Sequence, residues 1–272
     1  MTFLIYLFTG VFAGTLSGLL GVGGGIIVVP ALIFCFQSVH LFTDALIIHV
    51  AVGTSLAIMI FTSLSSANTY YRRGFIVWPI FIRFLPGLCV GMIAGSMIAK
   101  QLSSHLLIML FALFLIIIAV YLFFSKPEKI TPKSIKHTYP LLRELVIIIV
   151  AILIGLLSTI FGIGGGLLMV PFFLLIGLEM HEASGTSSIC GVPISIIGTI
   201  VLTIAGWDAI QNSHLPAGTI GYVYWPAATM VSLTSIIFAP IGARLSIRFR
   251  PITLKRILAC LLIASSINLL LI

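Results

Sequence analysis

The chain has 272 residues, of which 60% are hydrophobic and only 7% are charged, and its mean hydropathy is +1.29. A soluble domain of this length would need far more polar surface, so the composition indicates an integral membrane protein built of many helices. The formal net charge of +8 does not indicate nucleic-acid binding, because the basic residues cluster between apolar segments, where they set membrane orientation. The four cysteines show no C-x-x-C spacing, so we expect buried free thiols, no metal site and no cofactor.

The apolar segments fall into two similar series. In the first, residues 3–36 form a segment that glycines interrupt, and crossings are predicted near 45–70, 75–98 and 104–124. The second has a broken segment at 143–178, followed by crossings near 184–205, 221–245 and 252–272. A polar stretch that contains four lysines separates the two series. We therefore predict a first transmembrane repeat over 1–124, a cytoplasmic linker over 125–140 and a second transmembrane repeat over 141–272.

Sequence motifs recur in the same order in the two series. The run Gly21-Val22-Gly23-Gly24-Gly25, with Pro30 five residues on, returns as Gly162-Ile163-Gly164-Gly165-Gly166 with Pro171. Gly53-Thr54-Ser55 returns as Gly185-Thr186-Ser187, and His49 and His181 each precede the glycine of that motif by four residues. The stretch from Gly74 to Pro79 matches the stretch from Gly221 to Pro226. Matches in a common order indicate a tandem duplication of one half-chain.

The distribution of basic residues distinguishes two topologies for the duplicated halves. If each broken segment crosses the membrane once, the halves are parallel and the two faces carry eight and six basic residues. If each broken segment enters and returns to its starting face, the halves are inverted and thirteen of the fourteen basic residues share one face. The positive-inside rule favours the second model. We predict an inverted repeat of about 8–10 transmembrane or re-entrant helices, with a glycine-broken helical hairpin in each half and both termini outside.

The two glycine runs form the candidate substrate site. Four glycines in five residues disfavour a continuous helix, and broken backbone at membrane depth is tolerated only where protein buries it or where it lines a cavity. One explanation is that the glycines only allow close helix packing. In the other, helices that start near Ile26 and Leu167 direct their positive ends at an anion. The second hypothesis assigns substrate binding to Gly21, Gly23, Gly24, Gly25, Gly162, Gly164, Gly165 and Gly166.

Hydroxyl and imidazole groups extend the candidate site. The pairs Thr54-Ser55 and Thr186-Ser187 follow the repeated glycines and can donate hydrogen bonds to the oxygens of an oxyanion. Their alternative role is to bond carbonyl groups of their own helices. His49 and His181 can carry protons near neutral pH, which suggests a role in coupling transport to protons. Interfacial placement or structural hydrogen bonding is the alternative role for these histidines.

These residues resemble the sulfite exporter TauE/SafE family of membrane permeases, which is also called the TSUP family. The resemblance is carried by the two glycine runs with Pro30 and Pro171, by the two Gly-Thr-Ser motifs, and by the stretch from Arg73 to Trp78. It covers essentially the whole chain. The resemblance implies a multi-pass permease for a small sulfur-containing anion such as sulfite or an organosulfonate, and it does not fix which compound is carried.

We therefore expect an exporter of a small sulfur-containing anion in the inner (plasma) membrane, which works by alternating access and contacts lipid but no nucleic acid. Outward flow of an anion is favoured by an inside-negative potential. The alternatives are an importer or channel of the same fold for another small anion, or a membrane assembly subunit without transport activity. An intramembrane enzyme is not expected, because the sequence lacks H-E-x-x-H, G-x-S-x-G and paired intramembrane aspartates. The sequence leaves homo-oligomerisation open.

Overall fold

The computed structural model describes residues 2–21, 23–124, 140–207, 215–245, 259–260, 262–264 and 266–267. The predicted linker, except for Pro140, lies outside these residues, as does most of the predicted last crossing at 252–272. Val22, inside the first glycine run, also lies outside them. The repeat boundaries at 1–124 and 141–272 therefore stay predictions.

Helices make up almost all of the described chain. They are α1 (Thr2–Leu20), α2 (Gly25–Ser38), α3 (Asp44–Tyr71), α4 (Trp78–Gln101), α5 (Ser104–Phe124), α6 (Pro140–Phe161), α7 (Gly166–Leu175), α8 (Met180–Ala205) and α9 (Trp225–Leu245). Six of these, namely α3, α4, α5, α6, α8 and α9, are long and apolar enough to cross a membrane. The prediction of an all-α polytopic membrane protein is confirmed.

The start of α9 differs from the predicted crossing at 221–245. The chain before it forms a small antiparallel hairpin of β1 (Thr219–Ile220) and β2 (Val223–Tyr224), which the sequence did not predict. Gly221 lies in the turn with a φ of +58°, a conformation that glycine adopts without steric cost and that hairpin turns require. The helix therefore begins only at Trp225.

The repeated helices α3 and α8 cross in the interior, and α3 is the most buried of the six spans. Ser66 Oγ of α3 lies 3.1 Å from Ser188 Oγ of α8. At another point of the crossing, a Cβ on Gly198 would lie 2.8 Å from a methyl group of Leu56. The later residue of α3, Ser66, contacts the earlier residue of α8, Ser188, whereas Leu56 contacts Gly198. The two helices therefore run antiparallel.

The outer helices pair between the two halves through small residues. Helix α1 packs along α9, where a Cβ on Gly18 would overlap the carbonyl oxygen of Ala239. The counterpart pair is α4 on α6, where a Cβ on Gly91 would overlap the carbonyl oxygen of Ile152. Only a glycine allows two helix backbones to approach this closely. Each half therefore packs its first and fourth helices against the other half.

The outward faces of the spanning helices are apolar. Ile82 of α4, Leu113 and Ile117 of α5, and Leu153 of α6 each have more than half of their surface exposed. Exposed apolar faces on long helices suit contact with lipid chains and not with water. The short helices α2 and α7, in contrast, have at least half of their residues buried, and each begins at the last glycine of a glycine run.

Candidate functional site

Both glycine runs break one helix and start another. Gly24 and Gly165 are the N-cap residues of α2 and α7, with φ values of +82° and +66°. Gly21 and Gly162, which begin the two runs, have φ values of +69° and +65°. Residues other than glycine rarely adopt this left-handed region, so glycine is what permits the break. New helices begin within one residue of the predicted starts.

The two glycine turns meet inside the molecule, and both are buried. A Cβ on Gly23 would lie 3.5 Å from the Cα of Gly164, its counterpart in the repeat. A Cβ on Gly25 would overlap the carbonyl oxygen of Gly162. The absence of side chains therefore allows the two main chains to approach each other. This approach brings the N-termini of α2 and α7 to one buried region.

The serines of the Gly-Thr-Ser motifs bind the glycine turns of the opposite half. Ser55 donates a hydrogen bond to the carbonyl oxygen of Gly162 at 3.0 Å, and Ser187 donates one to that of Gly21 at 2.9 Å. Both serines are fully buried. The two bonds are counterparts in the repeat, so each half fixes the main chain at the helix break of the other.

The threonines of the same motifs accept hydrogen bonds from the opposite half. The main-chain N–H of Tyr224 donates to Thr54 Oγ1 at 2.9 Å, and that of Val77 donates to Thr186 Oγ1 at 3.0 Å. Tyr224 and Val77 are also counterparts in the repeat. All four hydroxyls of the motifs thus contact main-chain groups of the other half. Substrate binding by them and by the eight glycines stays a prediction.

The repeated histidines occupy counterpart places. The His49 ring packs against Tyr222 with 5.2 Å between ring centroids, and the His181 ring packs against Phe75 at 5.3 Å. His49 Nε2 lies 3.3 Å from the carbonyl oxygen of Ala99. A carbonyl can only accept, so Nε2 is the donor in this bond. These contacts suit a structural role for His49, and a coupling role for either histidine stays a prediction.

Four buried serine hydroxyls have no hydrogen-bond partner among the residues that the structure describes, namely Ser17, Ser63, Ser158 and Ser232. None of them was predicted from the sequence as a site residue. Two of them could have been identified from the sequence by their position relative to the glycine runs. Ser17 and Ser158 each precede a glycine run by four residues. Ser158 and Ser63 lie beside the glycine turns. A Cβ on Gly165 would be 2.9 Å from Ser158 Oγ, and a Cβ on Gly23 would be 3.4 Å from Ser63 Oγ.

The polar groups around the turns carry no full charge. Among the side chains whose burial the structure describes, the buried polar ones are serines, threonines, His49, Tyr6 and Tyr70, and none is a lysine, arginine, aspartate or glutamate. What the turns offer is hydroxyl groups, main-chain N–H groups and the positive ends of two helices. Such a set can receive a small anion or a neutral polar molecule.

Comparison with known proteins places the chain in a family. The family model described as "Sulfite exporter TauE/SafE" matches residues 6–269. A "Probable membrane transporter protein" of Haemophilus influenzae is 32% identical over 266 residues, which cover 97% of each chain. YunE of Bacillus subtilis, with the same description, is 30% identical and aligns over 82% of each chain. MJ0441 of Methanocaldococcus jannaschii is 27% identical over 95% of this chain and 91% of its own. No solved structure gives a significant match.

The family match includes both glycine runs and both Gly-Thr-Ser motifs. The resemblance that these motifs indicated is therefore confirmed. With nearly the whole chain matched and with six helices able to span a membrane, the chain belongs to the sulfite exporter TauE/SafE family of membrane transporters.

Proposed function

We propose that this protein exports a small sulfur-containing anion, such as sulfite or an organosulfonate, across the inner (plasma) membrane. It would do so by alternating access around the paired glycine turns, as a carrier and not as an enzyme. Membership of the sulfite exporter family supports the class of substrate. The observation that carries the mechanism is that the N-termini of α2 and α7 come together in a buried region without charged side chains.

A helix N-terminus attracts an anion for two reasons. Its first N–H groups have no partner within the helix, and the helix dipole places about half a positive charge there. Gly24 and Gly165 cap α2 and α7 without a side chain that could occupy these N–H groups. A buried lysine or arginine would be costly to desolvate and would retain the anion, whereas a carrier must also release it.

The helix directions support an inverted arrangement of the halves. Because α3 and its counterpart α8 run antiparallel, a two-fold axis that relates them is perpendicular to both helices. For spanning helices such an axis lies in the membrane plane. Helix α3 runs parallel to α9, because Thr62 contacts Ser235 at 2.8 Å and the later residue Tyr70 packs with the later residue Ala243. Both helices therefore end at the same face.

This arrangement predicts that residues 125–139 and 246–258 lie on one side of the membrane. Helix α5 begins beside the first turns of α3, where Ser104 Oγ is 3.3 Å from His49 Nδ1, so α5 ends at the face where α3 ends. Single cysteines placed in the two segments of a variant without the native cysteines should react with an impermeant thiol reagent from the same side. Labelling from opposite sides would contradict the inverted repeat.

The membrane potential favours export over import. One elementary charge that crosses the membrane gains or loses about 2.3 kcal/mol per 100 mV, so an inside-negative potential drives an anion outward without a coupling ion. Import would require symport with a cation. Among the side chains whose burial the structure describes, none of the buried ones is a carboxylate.

The direct test is anion uptake into inside-out vesicles that contain the protein. A lumen-positive potential should accelerate uptake of sulfite or methanesulfonate relative to vesicles without the protein. Gly165→Val should insert but lose flux, because valine does not tolerate a φ of +66°. Flux that is indifferent to potential would count against the exporter, and a wild-type protein without any flux would favour an assembly subunit.

A further inference from the structure

Two unpartnered hydroxyls lie directly against the glycine turns. Ser158 Oγ would be 2.9 Å from a Cβ on Gly165, the N-cap of α7, and Ser63 Oγ would be 3.4 Å from a Cβ on Gly23. Both serines are 1% exposed, and neither has a hydrogen-bond partner in the described part of the chain. Ser17 is the counterpart of Ser158 in the first half and is equally buried and unpartnered there.

Other serines in the buried core, unlike these, donate their hydroxyl protons to main-chain carbonyls. Ser55 and Ser187 donate to the carbonyls of the glycine turns, and Ser195, the counterpart of Ser63, donates to the carbonyl of Val192 at 2.9 Å. A buried hydroxyl without a partner destabilises the folded state, and alanine at the same place removes that penalty. A free hydroxyl beside a helix N-terminus therefore suits a donor that is satisfied only when a ligand is bound.

We propose that Ser63 and Ser158 bind an oxyanion, which they hold together with the first N–H groups of α2 and α7. This assignment rests on the proposed function and specifies its site. The hydroxyl donors to the anion are these two unpartnered serines. Ser55 and Ser187, whose protons are engaged with main-chain carbonyls, instead fix the turns that present the N–H groups.

The same chemistry selects an anion of single charge. Hydroxyls and helix ends offset only part of a charge, and no charged side chain is buried within the described core. The desolvation penalty of an ion grows with the square of its charge, so a dianion loses much more than a monoanion on entering such a site. An organosulfonate, with three oxygens and one negative charge, therefore fits the site better than sulfate does.

The test is the affinity of the purified full-length protein for methanesulfonate and for sulfate, measured by isothermal titration calorimetry. Wild-type protein should prefer methanesulfonate. Ser63→Ala and Ser158→Ala should each weaken its binding about tenfold to a hundredfold, the loss expected for a hydrogen bond to a charged group. Ser96→Ala is the matched control and should bind normally, because this buried hydroxyl donates to the Ile93 carbonyl of its own helix at 2.7 Å.

The melting temperature without ligand separates a binding role from a structural one. Loss of an unpartnered hydroxyl should leave Tm unchanged or raise it. If Ser158→Ala does not fold, Ser158→Cys, which is similar in size but a weak donor, should show the same loss of affinity. Normal affinity in the Ser63 and Ser158 variants, with flux retained, would overturn this site and leave the proposed function intact. Wild-type protein that neither binds nor transports a sulfur anion would overturn both.

Discussion

Removal of the serine hydroxyls that join the two halves should destabilise the protein. Ser55 and Ser187 donate to the carbonyl oxygens of Gly162 and Gly21 at 3.0 and 2.9 Å, and all four residues are buried. In Ser55→Ala the carbonyl of Gly162 loses this donor and stays in a buried environment. Ser187→Ala has the corresponding effect on Gly21, because the two bonds are counterparts in the repeat.

The expected loss follows from leaving a buried acceptor unsatisfied, which costs about 1–3 kcal/mol of unfolding free energy. If the two bonds act independently, the double variant should lose about 2–6 kcal/mol. Folded domains have total stabilities on the order of 5–15 kcal/mol, so the double variant should lose a large share of the stability. A loss in the double variant smaller than the sum of the single losses would show that one substitution already weakens both bonds.

Thermal unfolding of the purified protein in detergent measures these losses. Ser38→Ala is a suitable control, because its exposed hydroxyl donates to the carbonyl of Phe34 in its own helix at 2.7 Å. The control should keep the wild-type Tm, whereas Ser55→Ala and Ser187→Ala should lower it. An unchanged Tm in both single variants would refute the reasoning, since the bonds between the halves would then contribute no net stability.

Three further substitutions test the glycine turn, the helix packing and the surface. Gly165→Ala should lower the unfolding free energy by about 1–2 kcal/mol, from the left-handed backbone alone, as measured by a lower Tm. Gly18→Ala should prevent folding, because its Cβ would overlap the main-chain carbonyl of Ala239, and size-exclusion chromatography should show loss of the monodisperse peak. Glu144→Gln removes an exposed ion pair with Arg83 and should change stability by less than about 1 kcal/mol, with a smaller effect in high salt.

Contrary results would be informative in each case. A monodisperse Gly18→Ala protein would mean that α1 and α9 can separate without loss of the fold. A Gly165→Ala protein with the wild-type Tm would mean that the turn can adopt a backbone other than the left-handed one. A large effect of Glu144→Gln would mean that the ion pair is shielded from solvent, contrary to the exposure of both side chains.

Helix positions could be predicted from the sequence because the membrane sets the length of apolar segments. The crossings predicted near 45–70 and 104–124 correspond to α3 at Asp44–Tyr71 and α5 at Ser104–Phe124. The helix breaks could be predicted because glycine alone adopts the left-handed backbone without strain. Both predictions depend on local chemistry, and neither requires knowledge of which residues meet in the fold.

The partners of the motif side chains could not be predicted in this way. Ser55 and Gly162 are 107 residues apart, and Ser187 and Gly21 are 166 residues apart, so only the packing of the halves brings them together. A local bond to the residue's own helix was the alternative that the sequence suggested. Ser63 was missed for the same reason, since the lack of a partner that it shares with three other buried serines follows from the packing and not from the local sequence.

Two departures from two-fold symmetry lie at the glycine turns themselves. Met59 and Gly191 are counterparts in the repeat. The sulfur of Met59 lies 2.9 Å from where a Cβ on Gly25 would lie, whereas Gly191 has no side chain. Ser63 is unpartnered in the described structure, whereas its counterpart Ser195 is bonded within its own helix. A sulfonate has three oxygens and one carbon substituent, so it cannot present equal faces to two identical half-sites. Different side chains on the two sides would favour one orientation of the proposed ligand, and these two pairs of positions provide such a difference.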